Sequence, residues 1–384
     1  MMPGLRGRIK AAAQKTRPET APRECKVIEA RMPLPPWMDV RGVSTAQVNR
    51  LGAKLSGWDV NRALFLDTET TGLHGAGTVA FLVGMGWVEG DEFVVRQLLM
   101  RDYPEEAHLL MVAADTLARF HVIVSFNGKS FDVPLLRDRF AMARLRHRWR
   151  EFPQLDLLHP ARRTWRLRLG ACPLCMLEEK VLGIGREGDL PGAEVPERYF
   201  AYLKSGDLSL LDDVLRHNLQ DIHTLAALLL RLAQVYDAPE RQASALDVFS
   251  AGRALERCGE GELARRCFRV ASVSALSQQA RLELAKSYRR EREYQEAAET
   301  YRGMIARGEG GPTAYISLAI LLERYLGDAK GALEITQKAL WRYAGDSLFA
   351  RADADIIEAL ERRRARLRRK AALEDAGTPG GAPP

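Results

Sequence analysis

A chain of 384 residues is long for one ordinary domain and comfortable for two, and its hydrophobic fraction of 46% suits sizeable cores. No apolar stretch reaches the ~18–20 residues needed to cross a bilayer, which excludes an integral helical membrane protein. The net charge of +7 is a modest excess, and five cysteines, an odd number, argue against a disulfide framework and suit a reducing compartment. Residues 1–24 are basic and contain proline but have no apolar central region, so they read as no secretory signal, and a soluble cytoplasmic protein is expected.

Residues 1–60 carry little pattern, and the stretch around Pro33-Leu34-Pro35-Pro36-Trp37 reads as a loosely structured basic lead-in. Regular structure is expected from Ala63-Leu64-Phe65-Leu66, an apolar run that ends in two acids. Val79–Val88 and Phe93–Leu99 read as two further strands joined by the turn Glu89-Gly90-Asp91. A helix is expected over Glu105–Phe120 with Pro104 at its first turn, then a buried strand at Val122-Ile123-Val124. Val133–Ala143 has helical spacing, Leu155-Asp156-Leu157 reads as a short strand, and Leu208–Val235 as a long helix. Strands followed by alternating helix and strand predict an α/β domain with a mixed sheet over residues 61–236.

The remainder has a different period. Ala251, Ala285 and Ala319 recur at 34-residue intervals, as do Ala264, Ala298 and Ala332, and then Ala271, Ile305 and Ala339. Small residues at that interval mark helix pairs in close approach, the tetratricopeptide period, and predict an all-α repeat region over residues 240–345. Such arrays offer a concave face to a protein partner; a helical cap that only stabilises the first domain is the competing reading. Residues 346–384 read as a basic helix, Arg362-Arg363-Arg364 through Arg368-Arg369-Lys370, fading into a Gly/Pro-rich disordered tail.

Chemistry concentrates in acids far apart in sequence. Asp67 and Glu69 are i and i+2 on an extended segment, so both project to one side of it. Asp132 stands where the strand at Ile123 has ended and a helix begins. His217 and Asp221 are i and i+4, one turn apart on one helix face. Hard carboxylates brought together with no thiolate among them favour Mg²⁺ or Mn²⁺ over zinc, two ions being expected, and the chemistry of such a centre is phosphodiester hydrolysis. His217 would orient the attacking water or take its proton, since imidazole exchanges its proton near neutrality. Taken singly, each motif has a blander reading, as a turn, a helix cap or a surface pair.

From Arg137 to Arg168 there are ten arginines against three acids, interleaved with Trp149, Phe152 and Trp165. Guanidinium groups suit a phosphate backbone and aromatic faces suit unstacked bases, so nucleic acid is the expected partner; an Arg-rich face that is merely solvated is the alternative. Cys172-Pro173-Leu174-Cys175 is a lone CxxC with no second pair at zinc spacing, and it reads as two cysteines in an apolar helix start.

The acidic motifs, in this order, resemble the DEDD exonuclease superfamily on the ribonuclease H fold, and residues 62–235 look like the YprB-type ribonuclease H-like family. The resemblance rests on Phe65-Leu66-Asp67-Thr68-Glu69-Thr70-Thr71-Gly72-Leu73, Ser125-Phe126-Asn127-Gly128-Lys129-Ser130-Phe131-Asp132 and Leu155-Asp156-Leu157-Leu158-His159-Pro160-Ala161-Arg162-Arg163. It continues through Leu177-Glu178-Glu179-Lys180-Val181-Leu182-Gly183, Asp189-Leu190-Pro191-Gly192, Tyr199 to Asp207, and His217-Asn218 to Asp221. It implies a ribonuclease H-like mixed sheet flanked by helices, a metal-dependent 3′→5′ exonuclease, and Asp67, Glu69, Asp132 and Asp221 as the metal carboxylates. On that reading Thr70, Thr71, Gly72 and Leu73 would meet the terminal nucleotide, Asn127 would anchor its loop or touch phosphate, and Lys129, Arg162 and Arg163 would hold phosphates. An internal or junction-cutting nuclease on the same acids, and a scaffold that binds nucleic acid through its repeats without cutting it, are the alternatives. One departure stands out: the superfamily has Tyr four residues before its last Asp or His five before it, whereas this chain has His217 four before Asp221 and Arg216 five before. His223, two residues beyond Asp221, is expected to face away.

Overall fold

The computed structural model describes residues 24–72, 77–145, 152–186, 190–344 and 354–376. The chain divides into two compact units, Met1–His159 with Pro173–Arg231, and Pro160–Cys172 with Leu232–Pro384.

The first unit is built on strands β1 (Lys26–Pro33), β2 (Ala63–Thr70), β3 (Ala80–Glu89), β4 (Glu92–Leu99), β5 (Val122–Ser125) and β6 (Gln154–Asp156). They form one six-stranded sheet in the order β1-β4-β3-β2-β5-β6. The first four in that order are antiparallel to their neighbours, with Gly90 at φ 63° in the β3–β4 turn, a left-handed conformation that suits glycine. β5 and β6 run parallel to β2. In chain order the unit also contains α1 (Thr45–Arg50), α2 (Glu106–Leu117) and α3 (Asp132–Met142). After α4 (Leu158–Leu169), most of which lies in the second unit, come α5 (Val195–Ser205) and the part of α6 (Asp212–Asp237) up to Arg231.

The long apolar runs of β2 and β3 follow from burial of both sheet faces. One core joins Leu64, Leu66, Phe81, Val83 and Met85 of the sheet to Leu109, Ala113, Leu136 and Tyr199 of the helices, with Tyr199 stacked on Phe81 at 4.0 Å. The opposite face receives α6. It approaches so closely that a Cβ on Gly84 would lie 2.2 Å from Asn218 Oδ1, and one on Gly86 2.4 Å from Ile222 Cγ2.

Part of the expected loose lead-in is structured. β1 pairs with β4 along its whole length, from Lys26↔Leu99 to Pro33↔Glu92, and α1 opens on a Ser44–Gln47 capping box. β1 escaped the sequence reading because it is an edge strand: most of its residues stay exposed or half-exposed, so no apolar alternation marks it. Its register is signed instead by ion pairs with β4, Glu29 to Arg96 at 2.8 Å and Arg31 to Glu92 at 3.3 Å. Within the expected domain of 61–236, Pro160–Cys172 groups with the second unit.

The second unit is helical: α7 (Ala245–Arg257), α8 (Gly261–Ala271), α9 (Ser277–Arg290), α10 (Tyr294–Ala306), α11 (Gly311–Arg324), α12 (Ala329–Tyr343) and α13 (Ala354–Ala376). Ala251, Ala285 and Ala319 fall on α7, α9 and α11, while Ala264, Ala298 and Ala332 fall on α8, α10 and α12, and all six are fully buried. The 34-residue interval is thus the repeat of a helix pair. The basic run of α13 is anchored through buried Leu360 and Leu367 and through Arg363 and Arg366 on Glu323. The expected tail at 377–384 lies outside the described residues.

Candidate active site

The site forms where the end of β2 meets α6 and the start of α3, all within the first unit. Asp67 lies opposite Gly84, and Gly84 opposite Gln97, so one row crosses β2, β3 and β4. The missing side chain at Gly84 leaves a gap that the carboxamide of Asn218 fills. Its Nδ2 donates to Asp67 Oδ2 at 2.9 Å and its Oδ1 accepts from Gln97 Nε2 at 3.0 Å. Gln97 Nε2 also donates to the Leu215 carbonyl at 2.8 Å. With Asn218 fully buried and Gln97 nearly so, this lock fixes the rotation of α6 and with it the direction of His217 and Asp221.

Asp132 opens α3 and accepts from the Thr68 hydroxyl. The loop ahead of it is held by Asp156 at the end of β6, which accepts from the backbone N–H groups of Asn127 at 2.9 Å, Leu158 at 3.0 Å and Lys129 at 3.3 Å. Asn127 takes a left-handed φ of 65°. A Cβ on Gly128 would lie 2.5 Å from Ser125 Oγ, so the turn that delivers Asp132 requires glycine there.

The four acids perturb one another. Asp67 is held well above the usual carboxylate range, first by burial and then by Asp221, Glu69 and Asp132. Burial, then Asp221 and Asp132, push Glu69 up to about 8, with Arg186 opposing. Burial raises Asp132 to about 6 against the hydrogen bond from Thr68. Asp221 is raised by burial, against His217 and Arg186. Four carboxyls from three elements, each with its pKa raised, form a pocket that ionises fully only when cationic charge enters it.

His217 faces two of them, its Nε2 3.6 Å from Asp221 Oδ2 and 3.9 Å from Glu69 Oε1. Its Nδ1 lies 3.1 Å from Arg186 Nη1. A guanidinium only donates, so in this contact Nδ1 accepts and the neutral ring carries its proton on Nε2, toward the acids. Arg186 also bonds Asp221 and the buried Glu178, and Glu178 in turn accepts from Thr224 and from Gln220 at 3.4 Å. His223 takes no part: it packs edge-on against Phe93 at 5.7 Å, and burial pushes it down to about 4.

The structure therefore brings Asp67, Glu69, Asp132, His217 and Asp221 together. The donor set is all oxygen plus one imidazole, which in kind suits a hard divalent cation. Among the described residues no three His, Cys, Asp or Glu groups converge tightly enough to enclose an ion as they stand. The positive charge among the acids is that of Arg186. Thr70 and Thr71 spend their hydroxyls on the loop, donating to the Gly72 carbonyl at 2.8 Å and accepting from the Val79 N–H at 3.1 Å. Lys129 is exposed, and Leu73 lies outside the described residues, as do Trp149 and its flanking arginines. Arg162 and Arg163 fall in the second unit. Sequence reasoning missed Arg186, Glu178 and the Asn218–Gln97 lock; the one available signal was the pair of glycines in β3, which announces a close approach.

These carboxyls make the metal-free protein sensitive to pH. Glu69, ordinarily near 4.5, is raised to about 8, so the folded state keeps a proton that the unfolded chain has lost. Its stabilising contribution is complete below about 4.5 and is lost as pH rises through 8. In EDTA the melting temperature of the wild type relative to Glu69→Gln should therefore decline steadily between those limits. A difference that grows with pH would show that Glu69 is not held protonated.

Residues 64–233 match the family model described as the RNase H superfamily. Over 182 residues, 46% of this chain, the sequence is 36% identical to the uncharacterized protein YprB of Bacillus subtilis (strain 168). The aligned stretch covers 43% of that relative, less than half its length. With the mixed sheet described above, these matches give the first unit a ribonuclease H-like fold, followed by an all-helical region. Among the described residues no helix is long and apolar enough to cross a membrane.

Proposed function

We propose that the protein is a nuclease that hydrolyses phosphodiester bonds of DNA or RNA with Mg²⁺ or Mn²⁺, acting as a 3′→5′ exonuclease. The observation that carries this reading is the convergence of Asp67, Glu69, Asp132 and Asp221 from three elements, close enough to raise one another's pKa. These four carboxylates would hold the ions, and bound divalent ions supply the charge that activates water and steadies the leaving oxygen. His217 handles the proton of the attacking water. Nε2 already carries the ring proton, so accepting another there requires that proton to pass to Nδ1 and the bond from Arg186 to be given up; the two side chains act as a pair. The 70–72 loop and Leu73 border the terminal nucleotide, Asn127 shapes the loop that carries Lys129, and Lys129 reaches a substrate phosphate.

Hydrolysis of 3′- and 5′-labelled single- and double-stranded DNA and RNA, with Mn²⁺, Mg²⁺ or EDTA, tests the proposal. The expected result is a metal-dependent ladder from the 3′ end that a blocked 3′ terminus abolishes. Cutting that survives the block would make the enzyme an endonuclease, and absence of cutting on every substrate would leave a binding scaffold. Arg186→Gln supplies a separate check. A cation competing for Asp221 is removed, so Mn²⁺ measured by calorimetry should bind several-fold more tightly; weaker binding would mean that Arg186 holds Asp221 in place.

A further inference from the structure

The second unit carries a cavity of about 600 Å³ lined by Arg162, Arg163 and Arg166 of α4 and Arg253 and Arg257 of α7, with no acid in its lining. Every lining residue belongs to that unit. The arginines stand at i, i+4 on both helices, Arg162 with Arg166 and Arg253 with Arg257, so each helix turns a cationic ridge to the same space. Like charges arranged this way repel.

Several other arginines of the unit are neutralised: Arg168 meets Asp247 at 2.9 Å, Arg281 meets Glu309 at 2.6 Å, and Arg265, Arg266 and Arg290 each bond a glutamate. Among the described residues, no acidic side chain pairs with Arg162, Arg166, Arg253 or Arg257, and all four are exposed. Arg253 is steadied from behind, its guanidinium 5.9 Å from the ring centre of Phe249. The volume lies in the range of ligand sites, and exposed Leu167 on the wall offers an apolar surface beside the charges.

We propose that this cavity is a second nucleic-acid site, which takes consecutive phosphates of a single strand in the forks of Arg162, Arg166, Arg253 and Arg257. Planar guanidinium forks match phosphate oxygens two at a time, and their fixed spacing on two helices suits a backbone of regularly spaced charges. The choice of a nucleic-acid backbone as ligand rests on the nuclease reading above; the cationic cavity does not.

The test is binding, kept apart from hydrolysis. The full-length chain carrying Asp67→Asn, in EDTA, is titrated against a fluorescein-labelled single-stranded oligonucleotide across a salt series, with and without Arg253→Ala/Arg257→Ala. Each lost phosphate contact lowers the salt slope on a single strand by about 0.7, so the double change should reduce it by about 1.4 and weaken binding at least tenfold at low salt. The Arg253→Lys/Arg257→Lys protein, which keeps the charge, should restore most of the slope, which a merely misfolded alanine variant could not explain. Unchanged affinity and slope in the alanine variant overturn the proposal. So does a site that loses pyrophosphate or poly-glutamate binding on substitution but keeps the oligonucleotide, since it would then serve small anions or acidic protein. Because no cleavage is read, an inactive wild type with an intact salt slope would sink the nuclease reading and leave this site standing.

Discussion

Asp67→Asn should reduce hydrolysis by about a thousandfold or more, equivalent to ~4 kcal/mol of barrier, while leaving the fold intact. Asparagine keeps the shape and can still accept from Asn218 Nδ2, so the lock between β2 and α6 survives. What it removes is a carboxyl that can ionise when a cation enters; in the metal-free protein burial, and then Asp221, Glu69 and Asp132, hold that group well above the usual carboxylate range. The variant should therefore melt no lower than the wild type in EDTA, and it should lose the stabilisation that Mn²⁺ gives the wild type. Undiminished cleavage by a clean preparation would show that the chemistry lies elsewhere, and a large fall in melting temperature would show that Asp67 serves the fold.

Gly84→Ala should damage the same site from the neighbouring strand. The added Cβ would sit 2.2 Å from Asn218 Oδ1 and 2.8 Å from its Cγ, and Asn218 is buried and tied to both Asp67 and Gln97. Either the carboxamide leaves both partners or α6 moves off the sheet. Overpacking of this kind costs about 1–3 kcal/mol, with unpaired buried amides adding to it. A fall of several degrees in melting temperature is expected, together with loss of activity. The comparison that discriminates is Gly84→Ala against Gly84→Ala/Asn218→Ala, in which the clash is removed. Recovery of stability without activity would locate the defect in the lock, whereas no recovery would point to the strand itself.

Three of the acids were legible in the sequence because they stand at a boundary between pattern and turn, while Asp221, inside a long helix, was marked only by its spacing from His217. Asp67 and Glu69 end an apolar run, and Asp132 follows a turn of Asn, Gly and Ser into the start of a helix. The expected strands of β3 and β4, the helix beginning near Pro104 and the strand at Val122 all carried apolar runs or punctuation, and all are present. The alanines at 34-residue intervals placed three helix pairs because a small side chain at a crossing point repeats with the structure.

What could not be read depends on chain path. Arg186 follows Gly183-Ile184-Gly185 in a loop with no motif of its own, and only the fold carries it to His217 and Asp221. The grouping of α4 with the helical unit was hidden for the same reason: an Arg-rich amphipathic helix says that one face is buried, not against what.

The edge strand has a practical consequence. The family match begins at residue 64 and β1 ends at Pro33, so a fragment cut to the matched region would carry β2 through β6 without β1. Every backbone group of β4 that now bonds between Lys26↔Leu99 and Pro33↔Glu92 would be left open along eight residues, next to Phe93, Val94 and Val95. Such an edge is a template for a second copy of itself, and the fragment would pair with its neighbours in solution. The homologous region and the folding unit are different lengths of chain, and material for any assay of this protein has to begin ahead of Lys26.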